Sequence, residues 1–213
     1  MSTMAWPEHD GDWPDLAARR LLPLAGDPDL APANIDVLTA WWGGPRPLRP
    51  AAVLVGLVPR AQGVHVLLTR RHDDLARHGG QISFPGGRID RTDADAVQAA
   101  LRETEEEVGV GAGLIRPLGR IEPLATVSEY LVQPIVAWID PAYQLRLQAS
   151  EVTAAFELPL RRAAQPELWQ PCHLSRPGLG VEMKSLDFQG HTIWGATAMI
   201  INRLLQRLGG LPL

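Results

Sequence analysis

Cysteine is almost absent: Cys172 stands alone in 213 residues. That excludes an intramolecular disulfide framework and fits a reducing cytoplasm. Long apolar runs are lacking too. None reaches the roughly 18 residues that a bilayer-spanning helix needs, so no membrane partner is expected. The opening stretch MSTMAWPEHDGDWPDL has neither a basic start nor an apolar segment behind it, so no secretory signal is expected. Lysine is scarce, with Lys184 alone among 20 basic residues, and the net charge is −4 with a pI near 5.9. A protein living on duplex nucleic acid would usually carry a basic patch strong enough to tilt that total, so no nucleic-acid partner is expected. The remaining basic residues are arginines, whose planar guanidinium suits two-pronged contacts to phosphate. A small phosphorylated ligand therefore stays in view, although codon usage is the plainer account of the bias.

With 46% hydrophobic and 21% charged residues, the composition is that of an ordinary globular protein, and the length suits one domain with an extra segment. Residues 1–49 repeat Pro, Gly and Trp, up to WWGGPRPLRP, and hold one helix candidate, PDLAARRLLPL. They read as an N-terminal arm packed on a domain formed by residues 50–213. AAVLVGLVP and GVHVLLTRR read as strands joined by a turn at Gly63, since Val64, Val66 and Leu68 alternate with His65 and Leu67. A long loop rich in Gly, His and Asp follows, and loops of that length inside compact domains are more often functional than not. In DADAVQAALRETEEEVGV, Val97, Ala100, Leu101, Thr104 and Val108 recur at helical spacing. Thr92 or Asp93 is placed to cap that helix and Gly109 to end it. LGRIEPLA, YLVQPIVAWI and SEVTAAFELPL predict further strands, and TIWGATAMIINRLLQRL a closing amphipathic helix. This order of elements implies an α/β sheet covered by helices.

LRETEEEVGV puts four glutamates within five positions of the clearest helix. Like charges three and four residues apart repel, so the cluster costs stability unless something cationic sits among them. At about 100° per residue, Glu103, Glu106 and Glu107 share one edge beside the buried stripe, while Glu105 points elsewhere. A solvated acidic face is the plain reading. Two features oppose it: the upstream loop FPGGRID, whose backbone can approach a ligand, and Arg102, which can orient one acid by a bidentate contact. Clustered oxygen ligands without cysteine or grouped histidines suit a hard cation, Mg²⁺ or Mn²⁺, over zinc or iron. Such ions bridge to phosphate oxygens and activate a bound water.

At these residues a family resemblance enters. GGRIDRTDADAVQAALRETEEEVGV resembles the signature of the Nudix hydrolases, with Arg102, Glu103, Glu106, Glu107, Gly109 and Val110 matching its distal half. Asp93 stands where the general pattern has glutamate, and one extra residue lies between Gly87 and Arg102. Both differences belong to the coenzyme A pyrophosphatase branch. The chain resembles that branch at Leu67 to Arg71, Leu75, His78, Gly80, Gln81, Phe84 to Gly87, Asp90 and Asp93. The resemblance continues through SEVTAAFELPL and IWGATAMIINRLL and covers roughly residues 50–208. VSEY departs from it, with Glu129 where a glycine is expected before the aromatic.

The resemblance implies the Nudix fold, a mixed β-sheet sandwiched between helices (α/β/α). It also implies metal-dependent hydrolysis of the diphosphate of coenzyme A or its thioesters to 3′,5′-ADP and a 4′-phosphopantetheine. Glu106 and Glu107 are then the primary ligands of Mg²⁺ or Mn²⁺, and Glu103 a third ligand or the base. The Gly87 carbonyl is a further contact, Glu151 a carboxylate from a later loop, and Glu103, Glu106 and Arg102 the catalytic group. Arg70, Arg71, His78, Gln81 and Arg88 are candidates for binding substrate, each against a plainer role in loop or surface. Asp93 is read as the helix cap, Asp90 as a turn residue, and Trp41 and Trp42 as pins for the arm. Two alternatives stay open. One is hydrolysis of another nucleoside diphosphate derivative, such as ADP-ribose or a dinucleotide. The other is a non-catalytic nucleotide-binding module, which normally requires a damaged acid cluster. The expected partner is a small molecule, and the oligomeric state, a homodimer included, is left open.

Overall fold

The computed structural model describes residues 6–7, 10–25, 30–74, 79–176 and 178–209. Two short helices precede the sheet, α1 (Trp13–Arg20) and α2 (Ile35–Trp42). The first lies in the predicted stretch; the second is a departure from the pattern reading. α2 stops where Gly43 takes φ 74, a left-handed conformation that costs glycine little, and the Gly43 amide donates to Ala40 O.

β1 (Arg49–Arg60) and β2 (Gly63–Arg71) form an antiparallel hairpin with Val58 opposite His65. Their apolar residues alternate between two cores. Ala51, Val55, Leu57, Val64, Val66 and Leu68 face one, while Ala52, Leu54, Val58 and Leu67 face the other. Burial on both faces explains why these strands read as nearly continuous apolar runs. Next come β3 (Ile82–Ser83), β4 (Gly86–Arg88), α3 (Ala96–Val108), β5 (Ile115–Arg120), β6 (Leu124–Ala125), β7 (Tyr130–Ile139) and β8 (Val152–Pro159). The sheet runs β3-β2-β1-β7-β5, with β4 also on β1, β6 on β7 and β8 on β2. Only the β1–β7 pairing is parallel among the described residues, so the sheet is mixed.

The chain closes with α4 (Leu160–Ala163), a small sheet of β9 (Trp169–Arg176), β10 (Leu179–Phe188) and β11 (His191–Ile193), and α5 (Gly195–Arg207). α3 buries Ala99, Ala100 and Val108 on one face of the main sheet; α1 and α5 bury Trp13, Ala17, Ile200, Ile201 and Leu204 on the other. The arrangement is the expected sheet between helices. Three local expectations change. LGRIEPLA divides between β5 and β6, β11 takes the start of the expected last helix, and the β9–β10 hairpin fills a stretch where no element was expected. Thr197, in the first turn of α5, donates to Ile82 O at 2.8 Å and ties that helix to β3.

Glu129 lies in the turn between β6 and β7 with φ 65, and Arg49 N donates to its carbonyl at 2.9 Å. This is why the related pattern has glycine there: the left-handed region costs an L-residue roughly 1–2 kcal/mol. Part of that gain is offset by glycine's larger unfolded entropy, about 0.5–1 kcal/mol. Glu129→Gly is therefore expected to raise stability by about 0.5–1 kcal/mol in urea unfolding. An unchanged or lowered midpoint would contradict it.

Candidate active site

The start of α3 sets the geometry. Asp95, not Thr92 or Asp93, is the cap: its Oδ1 accepts from Gln98 N at 2.8 Å, and Gln98 Oε1 accepts from Ala94 N at 2.6 Å. This reciprocal pair resembles a capping box and frees Asp93 for another task. Asp93 grips Arg102 side-on, with Arg102 Nε donating to Oδ1 at 3.1 Å and Nη2 to Oδ2 at 3.0 Å. Asp93 is itself fixed by Asp90, whose amide donates to Asp93 Oδ2 at 2.8 Å and whose carbonyl accepts from Asp93 N at 3.1 Å. Asp90 is thus the turn residue expected. The Arg102 guanidinium holds the Asp93 carboxyl below its ordinary range, aided by the Asp90 amide.

Held in this plane, Arg102 directs Nη1 to Glu103 Oε1 at 2.9 Å and to Glu106 Oε2 at 3.0 Å, while Nη2 also reaches Arg88 O at 3.1 Å. All five N–H bonds of the guanidinium are engaged. The three glutamates differ in burial: Glu106 is 57% exposed, Glu103 16% and Glu107 3%. Glu103 packs on the backbone of β4, where a methyl group at Gly87 would lie 2.5 Å from its Cδ. Glu107 Oε2 accepts from Gly86 N at 3.2 Å, and its Oε1 lies 3.6 Å from Arg71 Nη1. Burial pushes the Glu107 carboxyl up to about 7, against the pull of Arg71 and the Gly86 amide and with help from Glu103 and Glu151. Burial also raises Glu103, against Arg102 and with help from Glu106 and Glu151. Glu151, in the turn before β8, is therefore within electrostatic reach of both acids; its carbonyl accepts from His72 N at 2.7 Å.

The donor set suits a hard divalent cation: oxygens only, more acids than arginines, and two carboxyls whose charged form is disfavoured without a further cation. As the side chains stand, no three of the described acids, histidines or cysteines close on one point.

The expected substrate residues divide. Arg71 faces Glu107, whereas Arg70 is turned to Asp73 in a bidentate pair at 2.7 and 2.9 Å. Gln81 is next to this edge through its carbonyl, which accepts from Arg71 N at 3.0 Å. Arg88 leaves β4 towards Tyr130, donating from Nε to the phenol at 3.2 Å. His78 and Leu75 lie outside the described residues. In the arm, Trp42 Nε1 donates to Val127 O at 3.3 Å, and Trp41 lies under the Arg176 guanidinium, 5.4 Å from Cζ to ring centroid. The pattern reading missed Tyr130 and Arg49, whose Cζ lies 4.2 Å from the centroid of that ring; an arginine and an aromatic 81 positions apart carry no local signal.

The result is a mixed sheet between helices, with an acid-bearing helix locked to a glycine-rich strand. The NUDIX domain model matches residues 47–173. The uncharacterized Nudix hydrolase NudL of Escherichia coli (strain K12) is 39% identical over 164 residues, 77% of this chain and 85% of that protein. Its Shigella flexneri counterpart is 38% identical over the same shares. Among solved structures, a C. elegans Ap4A hydrolase binary complex is 24% identical, covering 54% of this chain and 83% of that one, at TM-score 0.47. A MutT/nudix family protein from Enterococcus faecalis is 16% identical, covering 96% and 81%, at TM-score 0.48. The chain belongs to the Nudix family and is a Nudix hydrolase. Among the described residues no helix is long and apolar enough to cross a membrane.

Proposed function

We propose that this chain hydrolyses the diphosphate of coenzyme A or its thioesters, releasing 3′,5′-ADP and a 4′-phosphopantetheine, with Mg²⁺ or Mn²⁺ held by Glu103, Glu106 and Glu107 and completed by Glu151 and the Gly87 carbonyl. The observation that carries the reading is the Asp93–Arg102 pair. Asp93 and the extra residue before Arg102 separate the coenzyme A branch pattern from the general one. In the folded chain the shorter carboxylate and the longer loop work together, because the Asp90 turn presents Asp93 squarely to Arg102. Residues 1–49 are proposed as an arm on the catalytic domain.

A bound divalent ion supplies charge neutralisation on the diphosphate and a water of lowered pKa. The chain's own groups position and move protons. Arg102 holds Glu103 and Glu106 in register, so that little reorganisation is left for the moment of reaction. Glu103, packed on Gly87 and held by Arg102 at 2.9 Å, is a third ligand or the base that would accept the proton of the attacking water. Arg71, beside Glu107, is placed to take charge on a phosphate oxygen, and Gln81 and Arg88 are further candidates for binding substrate.

The test is mass spectrometry of coenzyme A, ADP-ribose and a dinucleotide incubated in parallel with the protein and Mg²⁺. Coenzyme A is expected to be cut fastest, chelation to stop the reaction, and added Mg²⁺ or Mn²⁺ to restore it. Survival of coenzyme A while ADP-ribose or the dinucleotide is cut would overturn the substrate reading and leave the acid site standing. Undiminished cleavage under chelation would overturn the metal assignment.

A further inference from the structure

Arg49 and Arg88 converge on one aromatic ring beside β4, the strand on which Glu103 packs. Their Cζ atoms lie 4.2 and 5.9 Å from the centroid of Tyr130. Sheet register brings them together: Arg49 is opposite Tyr130 in the parallel β1–β7 pair, and Arg88 is opposite Ala51 in the β1–β4 pair. Each guanidinium is fastened at one corner, Arg88 Nε to the Tyr130 hydroxyl at 3.2 Å and Arg49 Nη2 to Ser128 O at 2.6 Å. Neither forms an ion pair with a carboxylate among the described residues; Asp90 acts on Arg88 only as a weak electrostatic attraction.

Two cations sharing one ring repel, and the ring's π face offsets only part of that. An anion between them would offset the rest. Nη1 and Nη2 of Arg88 and Nε and Nη1 of Arg49, which engage no acceptor among the described residues, are forked donors of the kind that suits a phosphoryl group. The patch is joined to the acids through the backbone of β4: the Arg88 side chain lies on the face of the strand opposite Glu103, while the Arg88 carbonyl accepts from Arg102 Nη2 at 3.1 Å. Arg88 directly follows Gly87, the residue on which Glu103 packs, at one step of about 3.8 Å along the chain.

We infer that Arg49 and Arg88, steadied by Tyr130, form a phosphate-monoester subsite that takes the 3′-phosphate of coenzyme A while the acid cluster engages its diphosphate. This rests on the coenzyme A reading above. The subsite makes the 3′-phosphate a requirement for efficient turnover. A purely architectural role, in which Arg49 pins the β6–β7 turn, would give the pair an effect on melting temperature and none on 3′-phosphate preference.

The experiment compares kcat/KM for coenzyme A and dephospho-coenzyme A, which differ by that phosphate alone, in the wild type, Arg49→Ala, Arg88→Gln and Arg88→Lys. Wild type is expected to favour coenzyme A by about tenfold or more, the scale of a charge-assisted hydrogen bond. Arg49→Ala and Arg88→Gln should bring the ratio close to one, with Arg88→Lys retaining part of it. Calorimetry of 3′,5′-ADP against 5′-AMP, without turnover, should show the same pattern. A wild-type ratio near one, or a ratio unmoved in both Arg49→Ala and Arg88→Gln, overturns the inference. If both coenzymes survive uncut, the substrate reading falls, and the calorimetry decides the subsite by itself. A preference for 3′,5′-ADP that is lost in the variants upholds it, and equal binding of the two nucleotides overturns it. Should Arg49→Ala fail to fold, the exposed Arg88 carries the comparison.

Discussion

Glu107→Gln is expected to lower turnover by about two to three orders of magnitude and, in the absence of metal, to make the protein more stable at alkaline pH. The first effect follows from replacing a proposed ligand by a neutral amide. The second follows from burial. Glu107 is 3% exposed, and its carboxyl is pushed up to about 7 from the ordinary 4.5, chiefly by desolvation. A carboxyl raised in the folded state binds its proton more tightly there than in the unfolded chain. Its contribution to stability is therefore fully present below about pH 4.5 and is lost as pH rises through about 7. Above that the wild type carries a buried charge at a disadvantage of about 3 kcal/mol, from roughly 1.4 kcal/mol per tenfold change in proton affinity. Glutamine avoids this while still accepting from Gly86 N. Thermal melts of both proteins in chelator from pH 4 to 8.5 should coincide at the acid end and diverge above neutrality, with the variant higher. Divalent cation should reverse the order by stabilising the wild type. Glu106→Gln provides the contrast, since Glu106 is 57% exposed and should lose activity without the stability gain. Near-normal rates in both variants would remove these glutamates from the site.

Gly86→Ala should unfold the domain or come close to it. Gly86 has φ 152, outside what L-residues readily adopt, and an added Cβ would overlap Ala52 O and lie 2.6 Å from Val53 Cα. These are backbone atoms of the central strand β1, so no side-chain rotation relieves the clash. Strained backbone and overpacking together predict a loss of about 3 kcal/mol or more, a large share of a domain's net stability. Urea unfolding followed by circular dichroism is the measurement, and a midpoint within error of wild type would show that β4 can move away from β1. The contrast with Gly87 is instructive. There an added Cβ meets only the end of the Glu103 side chain, so the cost falls on the acid's position.

The acid helix is legible in the sequence because its important residues lie within five positions, and helical geometry alone relates Glu103, Glu106 and Glu107. Apolar runs of strand length likewise reveal β1, β2 and β7, since each is long and buried on both faces. Other assignments lie beyond local pattern. The sequence pattern places the cap at Thr92 or Asp93, whereas the path of the turn sends Asp95 to Gln98 N and Asp93 to Arg102. Helical periodicity puts Glu107 on the same edge as Glu106, yet one is buried and the other exposed, because β4 and Arg71 cover a single side of that edge. The β9–β10 ribbon is legible only in part: Leu179, Val181 and Met183 alternate with Gly180, Glu182 and Lys184 in β10, whereas WQPCHLSR in β9, with Pro171 inside it, gives no period-two signal.

The sequence by itself determined the family, the α/β succession of elements and the acids of the candidate site, all of which rest on residue types at short, regular spacing. Tertiary structure alone decided which arginine faces which acid, how strongly burial opposes the charge on Glu107, and that Arg49, Arg88 and Tyr130 meet. Those outcomes depend on β1 lying between β4 and β7 in one particular register, and strand register is set by the packing of both cores at once rather than by any one segment.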